Sequence, residues 1–224
     1  MVQSKMRLSR FNMIELLKAP QYKGFLSGFQ ARQFARGNLV SSPEQQSNEV
    51  FIVVSGRLRI FLSYEGKEFT LCFLEPGDLF STHTRVMIEA CREATIMSIS
   101  VARFREEVVR FPEVSLVMTG ILGQVLGGTL DVIEGIMFHD VRYRLVEFLL
   151  SLADEQGKHT ETGTEFGCDL NMEEISLLIG TTRQTASSLL NTLIKEGHLV
   201  RLGRGRYRMP EPQTLRSLLE GDDI

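Results

Sequence analysis

Residues 170–200 read LNMEEISLLIGTTRQTASSLLNTLIKEGHLV, and this stretch predicts two short helices joined by a tight turn. Asn171 and Glu174 have the spacing of a capping box, which satisfies the free backbone N–H groups at a helix N-terminus. Gly180 is placed to end the first helix, because glycine adopts the left-handed conformation of a C-cap without strain. The inner face of this helix is apolar and consists of Ile175, Leu178 and Ile179.

The second helix repeats the capping pattern, with Thr181 and Gln184 three positions apart. Its apolar residues recur at three- and four-residue steps, as in an amphipathic helix, and they are Ala186, Leu189, Leu190, Leu193 and Ile194. The opposite face carries polar and basic side chains, with no acidic residue before Glu196. One face is therefore predicted to be core and the other to be available for binding.

A helix-turn-helix of this length places the N-terminal end of its second helix against base edges in the DNA major groove. Arg183 can pair bidentately with guanine and Gln184 can read adenine. Contacts to phosphates suit the hydroxyl side chains of Thr182, Thr185, Ser187 and Ser188. The next residues, LVRLGRGRYRM, predict two short strands and a basic wing with Arg201, Arg204, Arg206 and Arg208. Any amphipathic helix pair has a solvated polar face, but the two capping patterns and the arginine hairpin favour binding of double-stranded DNA.

Between Glu49 and Ser100 the sequence consists of short β-type runs, such as VFIVV, RLRIFL and EFTLCFL, separated by glycine turns. Runs of this length and spacing are typical of a compact antiparallel roll or sandwich. The first half of the chain is therefore predicted to be a β domain.

Pro112 opens a long apolar helix that we expect to run to about Phe138. Such a helix suits packing against its own β domain and against a second copy, which gives a twofold homodimer. A helix buried entirely within one chain is the alternative. The uncharged part, Val114 to Leu130, is short for a membrane span and is interrupted by polar residues, so we expect no membrane insertion.

The composition of the 224 residues, 43% hydrophobic and 24% charged, is that of an ordinary soluble protein. We expect a β domain at residues 1–110, a dimerisation helix with hinge at 111–139 and a DNA-binding domain at 140–224. The formal net charge of -3 means that any DNA contact must come from a local basic patch. Three widely spaced cysteines and the lack of a secretory signal in residues 1–10 indicate a cytoplasmic protein.

The order of β-roll, long helix and winged helix resembles the catabolite-activator and fumarate-nitrate regulator (CRP/FNR) family over essentially the whole chain. This resemblance implies an α+β fold with an N-terminal β-roll, similar to a cyclic-nucleotide-binding jelly roll. A long dimerisation helix and a C-terminal winged helix-turn-helix would follow it. The resemblance further implies a transcription activator that is not an enzyme. It would bind a palindromic promoter site as a homodimer and act on RNA polymerase.

Cyclic-nucleotide receptors of this family follow a Pro-Gly-Asp turn with a Gly-Glu phosphate cassette and an Arg-Ser/Thr-Ala segment. Here the turn at residues 76–78 runs directly into LFSTHTRVMIEA, without Gly-Glu, and Arg85 stands too early. The absence of this phosphate cradle from the sequence argues against nucleotide sensing. The iron-sulfur members need a cysteine cluster near the N-terminus, which this sequence lacks.

Distinctive stretches resemble the CooA-like group of that family, the carbon-monoxide-sensing haem activators: VFIVVSGRLRIFL, GDLFSTH, IEA, ILG, MFHD, IGTTRQT and LIKEGHL. The resemblance implies a haem b (protoporphyrin IX iron) in each β domain, with His83 as the axial ligand retained when carbon monoxide binds. Neutral imidazole is a common iron ligand, which agrees with this assignment. Apolar residues that could wall a porphyrin lie on both sides of His83, and they are Leu79, Phe80, Val86 and Met87.

The second axial ligand implied by the resemblance is the N-terminal amine of the opposite subunit, which carbon monoxide displaces. It belongs to Met1, or to Val2 if the initiator is removed. We then expect dimer-helix residues to repack beside the ligand, with Gly123 allowing close approach to the haem; the set is Met118, Ile121, Leu122, Gly123 and Leu126. Repacking is expected to turn a hinge at Phe138, His139 and Asp140. Both recognition helices would then match half-sites one DNA turn apart.

One position departs from part of this group, in which a cysteine two residues before the histidine is a thiolate ligand in the oxidised state. This sequence has Ser81 there, so we expect histidine and amine to serve in both oxidation states. Replacement of that ligand by Cys72 or Cys91 is the alternative, although a free cysteine usually behaves as a small buried hydrophobe.

Two other functions remain open from the sequence. One is a regulator of the same family that responds to another small molecule or to a redox signal. The other is a haem enzyme or carrier, which lacks support because no acid–base pair or nucleophile accompanies His83.

Overall fold

The structure is a computed structural model that describes residues 12–22, 24–44 and 48–220. The described chain divides into two compact units, of which the first ends at Leu130 and the second begins at Asp131. We call them the N-terminal unit and the C-terminal unit. One continuous helix, Glu113–Phe138, belongs to both.

The described part of the N-terminal unit contains eight strands in two antiparallel sheets. The strands are β1 (Gln30–Phe34), β2 (Leu39–Ser41), β3 (Glu49–Ser55), β4 (Leu58–Tyr64), β5 (Lys67–Leu74), β6 (Leu79–Ser81), β7 (Met87–Ala90) and β8 (Ala94–Ser100). One sheet has the order β1-β8-β3-β6 and the other β2-β7-β4-β5. Their facing side chains form one apolar core, which includes Phe51, Leu58, Ile60, Leu74 and Ile88. The predicted β-roll is confirmed.

Helices cover one side of this roll: α1 (Met13–Leu17), α2 (Val101–Arg110), α3 (Glu113–Phe138) and two short 3₁₀ helices, Pro20–Tyr22 and Phe25–Gly28. Ser100 caps α2 by accepting a hydrogen bond from the Arg103 backbone N–H. A second apolar core joins these helices to the roll through Met13, Phe25, Ile52, Phe104 and Ile121.

Most of the apolar surface of α3 is uncovered in a single chain. Val114 and Ile121 are buried, but Leu122 and Leu126 are 63% and 62% exposed. The same exposure continues along the helix at Leu130, Ile133, Met137 and Phe138. The alternative of a helix buried within one chain is therefore wrong. Its length and composition alone would allow α3 to cross a membrane, which for one helix is weak evidence.

The described part of the C-terminal unit contains four helices and a four-stranded sheet besides the end of α3. In chain order these are α4 (Val141–Gln156), β9 (Lys158–Thr160), β10 (Gly163–Gly167), α5 (Met172–Ile179), α6 (Arg183–Lys195), β11 (Val200–Gly203), β12 (Arg206–Met209) and α7 (Pro212–Glu220). The sheet order is β11-β12-β10-β9. The core is formed largely by α4, whose residues Leu145, Phe148, Leu149 and Leu152 are buried. The predicted winged helix-turn-helix is confirmed.

The capping box of α5 is present as predicted, but the start of α6 lies one residue later than expected. Asn171 and Glu174 form the reciprocal box, and Gly180 ends α5 at a φ of 67°. Thr182, not Thr181, caps α6 and accepts a hydrogen bond from the Thr185 N–H at 3.2 Å. The Thr181 N–H still closes the first helix, because it donates to the Ser176 carbonyl oxygen at 2.9 Å.

Candidate ligand cavity and DNA-reading surface

The N-terminal unit contains a cavity of about 540 Å³ whose wall is predominantly apolar. Strands β3 to β6, the loop before β7, and helices α2 and α3 contribute to the wall. Typical members are Val50, Ile60, Leu71, Phe80, Met118 and Ile121. Small-molecule sites in proteins commonly have volumes of about 300–1,000 Å³ and apolar walls, so this cavity has the size of a ligand site.

A well-fixed turn leads the chain to the cavity. The Asp78 carboxylate accepts a hydrogen bond from the Glu75 N–H at 2.7 Å, and the Gly77 N–H donates to the Val53 carbonyl oxygen at 2.8 Å. Gly77 has a φ of 95°, a conformation that strains other residues. Strand β6 begins immediately after this turn, so its position against β3 is determined by these bonds.

Thr82 fastens the end of β6 to β3 and leaves His83 in the loop that follows. Its N–H donates to the Glu49 carbonyl oxygen, and its Oγ1 accepts from the Glu49 N–H, both at 2.9 Å. The His83 side chain is exposed and also lines the cavity, which places it at the mouth. The Ser81 hydroxyl forms a hydrogen bond with Nδ1 of the His83 ring.

The mouth of the cavity therefore offers one imidazole next to an apolar interior. Among residues 12–22, 24–44 and 48–220, no group of three or more His, Cys, Asp or Glu side chains comes together to hold a metal ion. In the described part of the chain, His83 is therefore not a member of such a group. The Ser81 hydroxyl lies nearest Nδ1 of the His83 ring and 3.4 Å from Nε2, and a hydrogen bond of this kind orients a ligand imidazole.

Cys72 lines the same cavity, whereas Cys91 lies in the turn between β7 and β8. Burial, followed by the negative charge of Asp78, raises the pKa of the Cys72 thiol to about 12. The thiolate is the form that ligates metals, so a thiol with a raised pKa is a poor ligand. This environment argues against Cys72 as a replacement for the missing cysteine at position 81.

The predicted dimer-helix residues fall into two groups. Met118, Ile121 and Leu122 line the cavity. Gly123 and Leu126 are exposed, and a Cβ atom added to Gly123 would have no other atom within 4 Å. Within one chain Gly123 therefore makes no close approach, and the predicted roles of Gly123 and Leu126 stay predictions.

Val125 and Thr129 also line the cavity, although they are not among the predicted pocket residues. They lie four and eight positions after Ile121, so helical spacing from a buried residue would have found them. The proposed amine ligand at Met1 or Val2 lies outside the described residues.

The predicted hinge consists of three residues with different environments. Phe138 ends α3 and is exposed. The His139 ring stacks on Tyr143 with a centroid distance of 3.6 Å. Asp140 caps α4, because its Oδ1 accepts a hydrogen bond from the Tyr143 N–H at 2.7 Å. A hinge role for these residues remains a prediction.

The candidate DNA-reading surface is the start of α6. Ala186, Leu190 and Leu193 are buried and hold the helix in its core. On the outside the predicted contact residues Thr182, Arg183, Gln184, Thr185 and Ser188 are exposed, while Ser187 is half-buried. The positive end of the helix dipole lies at this exposed terminus, which suits an anionic partner.

The arginines of the wing differ in how they are presented. Arg204 and Arg206 are exposed, and Arg206 lies 3.6 Å from the Glu165 carboxylate. Arg208 is half-buried and donates to Thr162 Oγ1 at 2.8 Å. Arg208 therefore contacts its own sheet, and the exposed basic charge of the wing comes from Arg201, Arg204 and Arg206.

Comparison with known proteins agrees with both units. The Crp-like helix-turn-helix domain matches residues 143–218, and the cyclic nucleotide-binding domain matches residues 31–110. A cyclic AMP receptor protein from Thermus thermophilus is 30% identical over 205 residues, which cover 88% of this chain and 91% of the relative. The chain belongs to the CRP/FNR family. As a member of that family it is a DNA-binding transcription regulator and not an enzyme.

Two solved structures narrow the relationship within the CRP/FNR family. A double-substituted CooA variant from Carboxydothermus hydrogenoformans is 40% identical, covers 97% of this chain and 100% of its own, and gives a TM-score of 0.92. The reduced (Fe(II)) CO-sensing protein from Rhodospirillum rubrum is 36% identical, covers 93% and 99%, and gives a TM-score of 0.56. CooA contains a haem domain, and CRP and CooA proteins are dimers.

Proposed function

We propose that this chain is a haem-dependent, carbon-monoxide-sensing transcription activator. The observation that carries the proposal is the placement of one imidazole, that of His83, at the mouth of an apolar cavity of about 540 Å³. The similarity to CooA supports haem as the group that this cavity binds. Cytoplasmic location and the domain bounds 1–110, 111–139 and 140–224 are part of the proposal.

The residues present fit a haem b group. A flat apolar ring system needs apolar walls, and Phe80, Val86 and Met118 are among those the cavity provides. An iron held by a porphyrin needs only axial ligands from the protein, so a lone His83 is sufficient on this face. The bound haem would supply an iron atom that takes up carbon monoxide.

The residues around the cavity each have a part in this proposal. His83 would hold the iron, and Ser81 would keep the imidazole ring oriented through its hydrogen bond. Apolar side chains exclude water from the interior. Met118, Ile121 and Leu122 belong to both the cavity wall and α3, so a change in the cavity acts directly on that helix.

The exposed face of α3 forms the homodimer in this proposal. The N-terminal amine of the partner, from Met1 or Val2, would be the second group that holds the haem, and it would give way to carbon monoxide. Gly123 and Leu126 would then repack beside the ligand, and the hinge at residues 138–140 would turn. Both α6 helices would meet the half-sites of a palindromic promoter, where the dimer acts on RNA polymerase.

The decisive experiment combines an absorption spectrum with a DNA-binding measurement. Protein reconstituted with haem and reduced should show a spectral shift on addition of carbon monoxide, and its affinity for a palindromic promoter fragment should rise. A protein that stays colourless after reconstitution would contradict haem binding. A shifted spectrum with unchanged DNA affinity would contradict the role of carbon monoxide as effector.

A second candidate is a regulator that responds to a cyclic nucleotide, which the Thermus thermophilus relative favours by its name. The cavity argues against it, because no arginine or lysine is among the described residues that line it. A nucleotide phosphate requires such a cation or a nest of backbone N–H groups. Titration of haem-free protein with cyclic AMP should leave its DNA affinity unchanged, and a rise would support this second candidate.

A further inference from the structure

Arg144, in the first turn of α4, donates hydrogen bonds to three backbone carbonyl groups from different segments of the C-terminal unit. Its Nη1 atom donates to the carbonyl oxygen of Gly135 at 3.1 Å and to that of His139 at 2.7 Å. Its Nε atom donates to the carbonyl oxygen of Ile179 at 2.8 Å. One guanidinium therefore connects the last turn of α3, the linker and the end of α5.

The electrostatics of this position favour a cation. Gly135 and Ile179 lie in the last turns of α3 and α5, where carbonyl groups lack intrahelical partners and carry the negative end of the helix dipole. Burial lowers the pKa of the Arg144 guanidinium, while the charge of Asp140 opposes this. Arginine keeps its proton in proteins, so the site holds a positive charge.

The connection from Arg144 to the DNA-reading helix is short. Only Gly180, Thr181 and Thr182 separate Ile179 from the first residue of α6. This turn is fixed by the Thr181 N–H, which donates to the Ser176 carbonyl oxygen, and by the Thr182 cap. A displacement of the end of α5 must therefore move the start of α6 as well.

We infer that Arg144 couples the end of the dimer helix α3 to the recognition helix α6. The inference rests on the proposed function, because ligand binding in the cavity is the event that would move α3. The guanidinium is a planar fork with donors in fixed directions, so it transmits a shift of Gly135 and His139 to Ile179. Arg144 is thus a positioning residue for DNA binding that makes no DNA contact itself.

Arg144→Lys tests this role. Lysine keeps the positive charge, but its ammonium group cannot reproduce the planar arrangement of donors in the guanidinium. Arg142→Lys is the matched control: Arg142 lies in the same turn of α4 but donates to the exposed Glu196 carboxylate at 2.8 Å. DNA affinity of the reduced haem protein is measured with and without carbon monoxide. Carbon monoxide affinity is measured with and without DNA, because the two coupling factors must be equal.

Coupling factors between two ligands are typically about 5- to 150-fold. We expect such a factor in the native protein and in Arg142→Lys, and at least a fivefold smaller factor in Arg144→Lys. The haem spectrum and the DNA affinity without carbon monoxide should change little. An unchanged coupling factor in Arg144→Lys would overturn the inference, whereas a native protein without any carbon monoxide effect would overturn the proposed function instead.

Hydrogen exchange of the ligand-free protein tests the connection without carbon monoxide. In Arg144→Lys the amides of residues 136–140 and 180–184 should exchange faster together, and in Arg142→Lys they should not. Acceleration in only one segment would contradict the coupling. Arg144→Gln, whose amide can still donate to carbonyl groups, should retain part of the coupling. Failure of both Arg144 variants to fold would refute coupling in favour of a purely structural role.

Discussion

The cavity and the DNA-reading surface are built in opposite ways. The residues predicted to contact DNA come from one short stretch, Thr182 to Ser188, together with the wing that follows it. The walls of the cavity come from positions between Val50 and Thr129, on four strands, one loop and two helices. The reading surface is polar and exposed, and the cavity is apolar with His83 at its mouth.

This difference teaches that the two halves of the regulator can be disabled separately. We expect a substitution on α6 to weaken DNA binding and to leave the cavity unchanged. We expect a substitution in the cavity to abolish the response without unfolding the winged helix, because each unit has its own core. The following variants challenge that independence.

His83→Ala should have the largest effect. Loss of an outer-shell partner of a metal ligand already weakens binding by about 10–100-fold, so loss of the ligand itself should exceed that range. We expect haem affinity to fall by more than about 100-fold and the carbon monoxide response to disappear. Haem titration measures the affinity, and circular dichroism shows whether the winged helix is still folded. His159→Ala, on strand β9, is the control. Retained affinity would show that another residue holds the iron.

Arg183→Ala should lower DNA affinity, which is a property of the C-terminal unit. A bidentate contact between arginine and guanine contributes about 1–3 kcal/mol, which corresponds to a roughly 5- to 150-fold loss of DNA affinity. Fluorescence anisotropy with the promoter fragment measures this loss, and the haem spectrum should be native. Arg216→Ala, which removes an ion pair with Asp154 at 2.5 Å, is a control outside α6. An altered haem spectrum in Arg183→Ala would argue against independent halves.

Ser81→Cys should change the ligand set without abolishing haem binding. The new thiol would stand two residues before His83, where oxidised iron can recruit a thiolate. We expect an oxidised-state spectrum with thiolate character in this variant and none in the native protein. Ser81→Ala separates the effects, since it removes only the hydrogen bond to the His83 ring and should weaken haem binding by about 10-fold. Thiolate character in native protein would contradict the amine and histidine assignment.

Cys72 should give the smallest effect, measured in the haem-free protein. Burial raises the pKa of the Cys72 thiol to about 12, so the thiol stays protonated at pH 8 and its reactive thiolate form is scarce. Alkylation of Cys72, followed by mass spectrometry, should therefore be slow in the folded protein and fast in urea. Its rate should increase with pH until the pKa is passed. Equal alkylation rates in the folded protein and in urea at pH 8 would show that the Cys72 thiol is not buried.

The raised pKa of the Cys72 thiol also predicts how the stability of the fold changes with pH. At a pH below the pKa that the thiol has in the unfolded chain, the thiol is neutral in both the folded and the unfolded state. Its titration then does not change the free energy of unfolding. As the pH rises from 9.0 toward about 12, only the unfolded chain releases its proton, so the free energy of unfolding falls. Cys72→Ser should remove this alkaline loss, which denaturant titrations at several pH values would reveal.

The parts that could be predicted from the sequence are those controlled by neighbouring residues. Capping spacing and helical periodicity located α3, α5 and α6, and glycine turns located the β-roll. Thr181 was mistaken for the cap of α6, because both threonines have the right chemistry. The difference depends on a single backbone hydrogen bond, from the Thr181 N–H to the Ser176 carbonyl oxygen.

The parts that could not be predicted depend on contacts between distant segments. Arg208 has the sequence signature of a wing arginine, yet it bonds to Thr162, which is 46 positions away. The partners of Arg144 are backbone carbonyl groups, which carry no sequence signal at all. Which residues line the cavity likewise depends on strand register. Only the lining residues of α3 after Ile121 have a helical spacing that could have identified them from the sequence.

The uncovered apolar face of α3 has a consequence for the amount of protein a cell must hold. Burying Leu122, Leu126 and Leu130 against a second copy is favourable, so assembly follows mass action. At low abundance the concentration of dimer rises with the square of the chain concentration. A cell that halves its supply of this regulator therefore loses about three quarters of the dimer in that regime, and the abundance of the chain itself becomes an input to regulation.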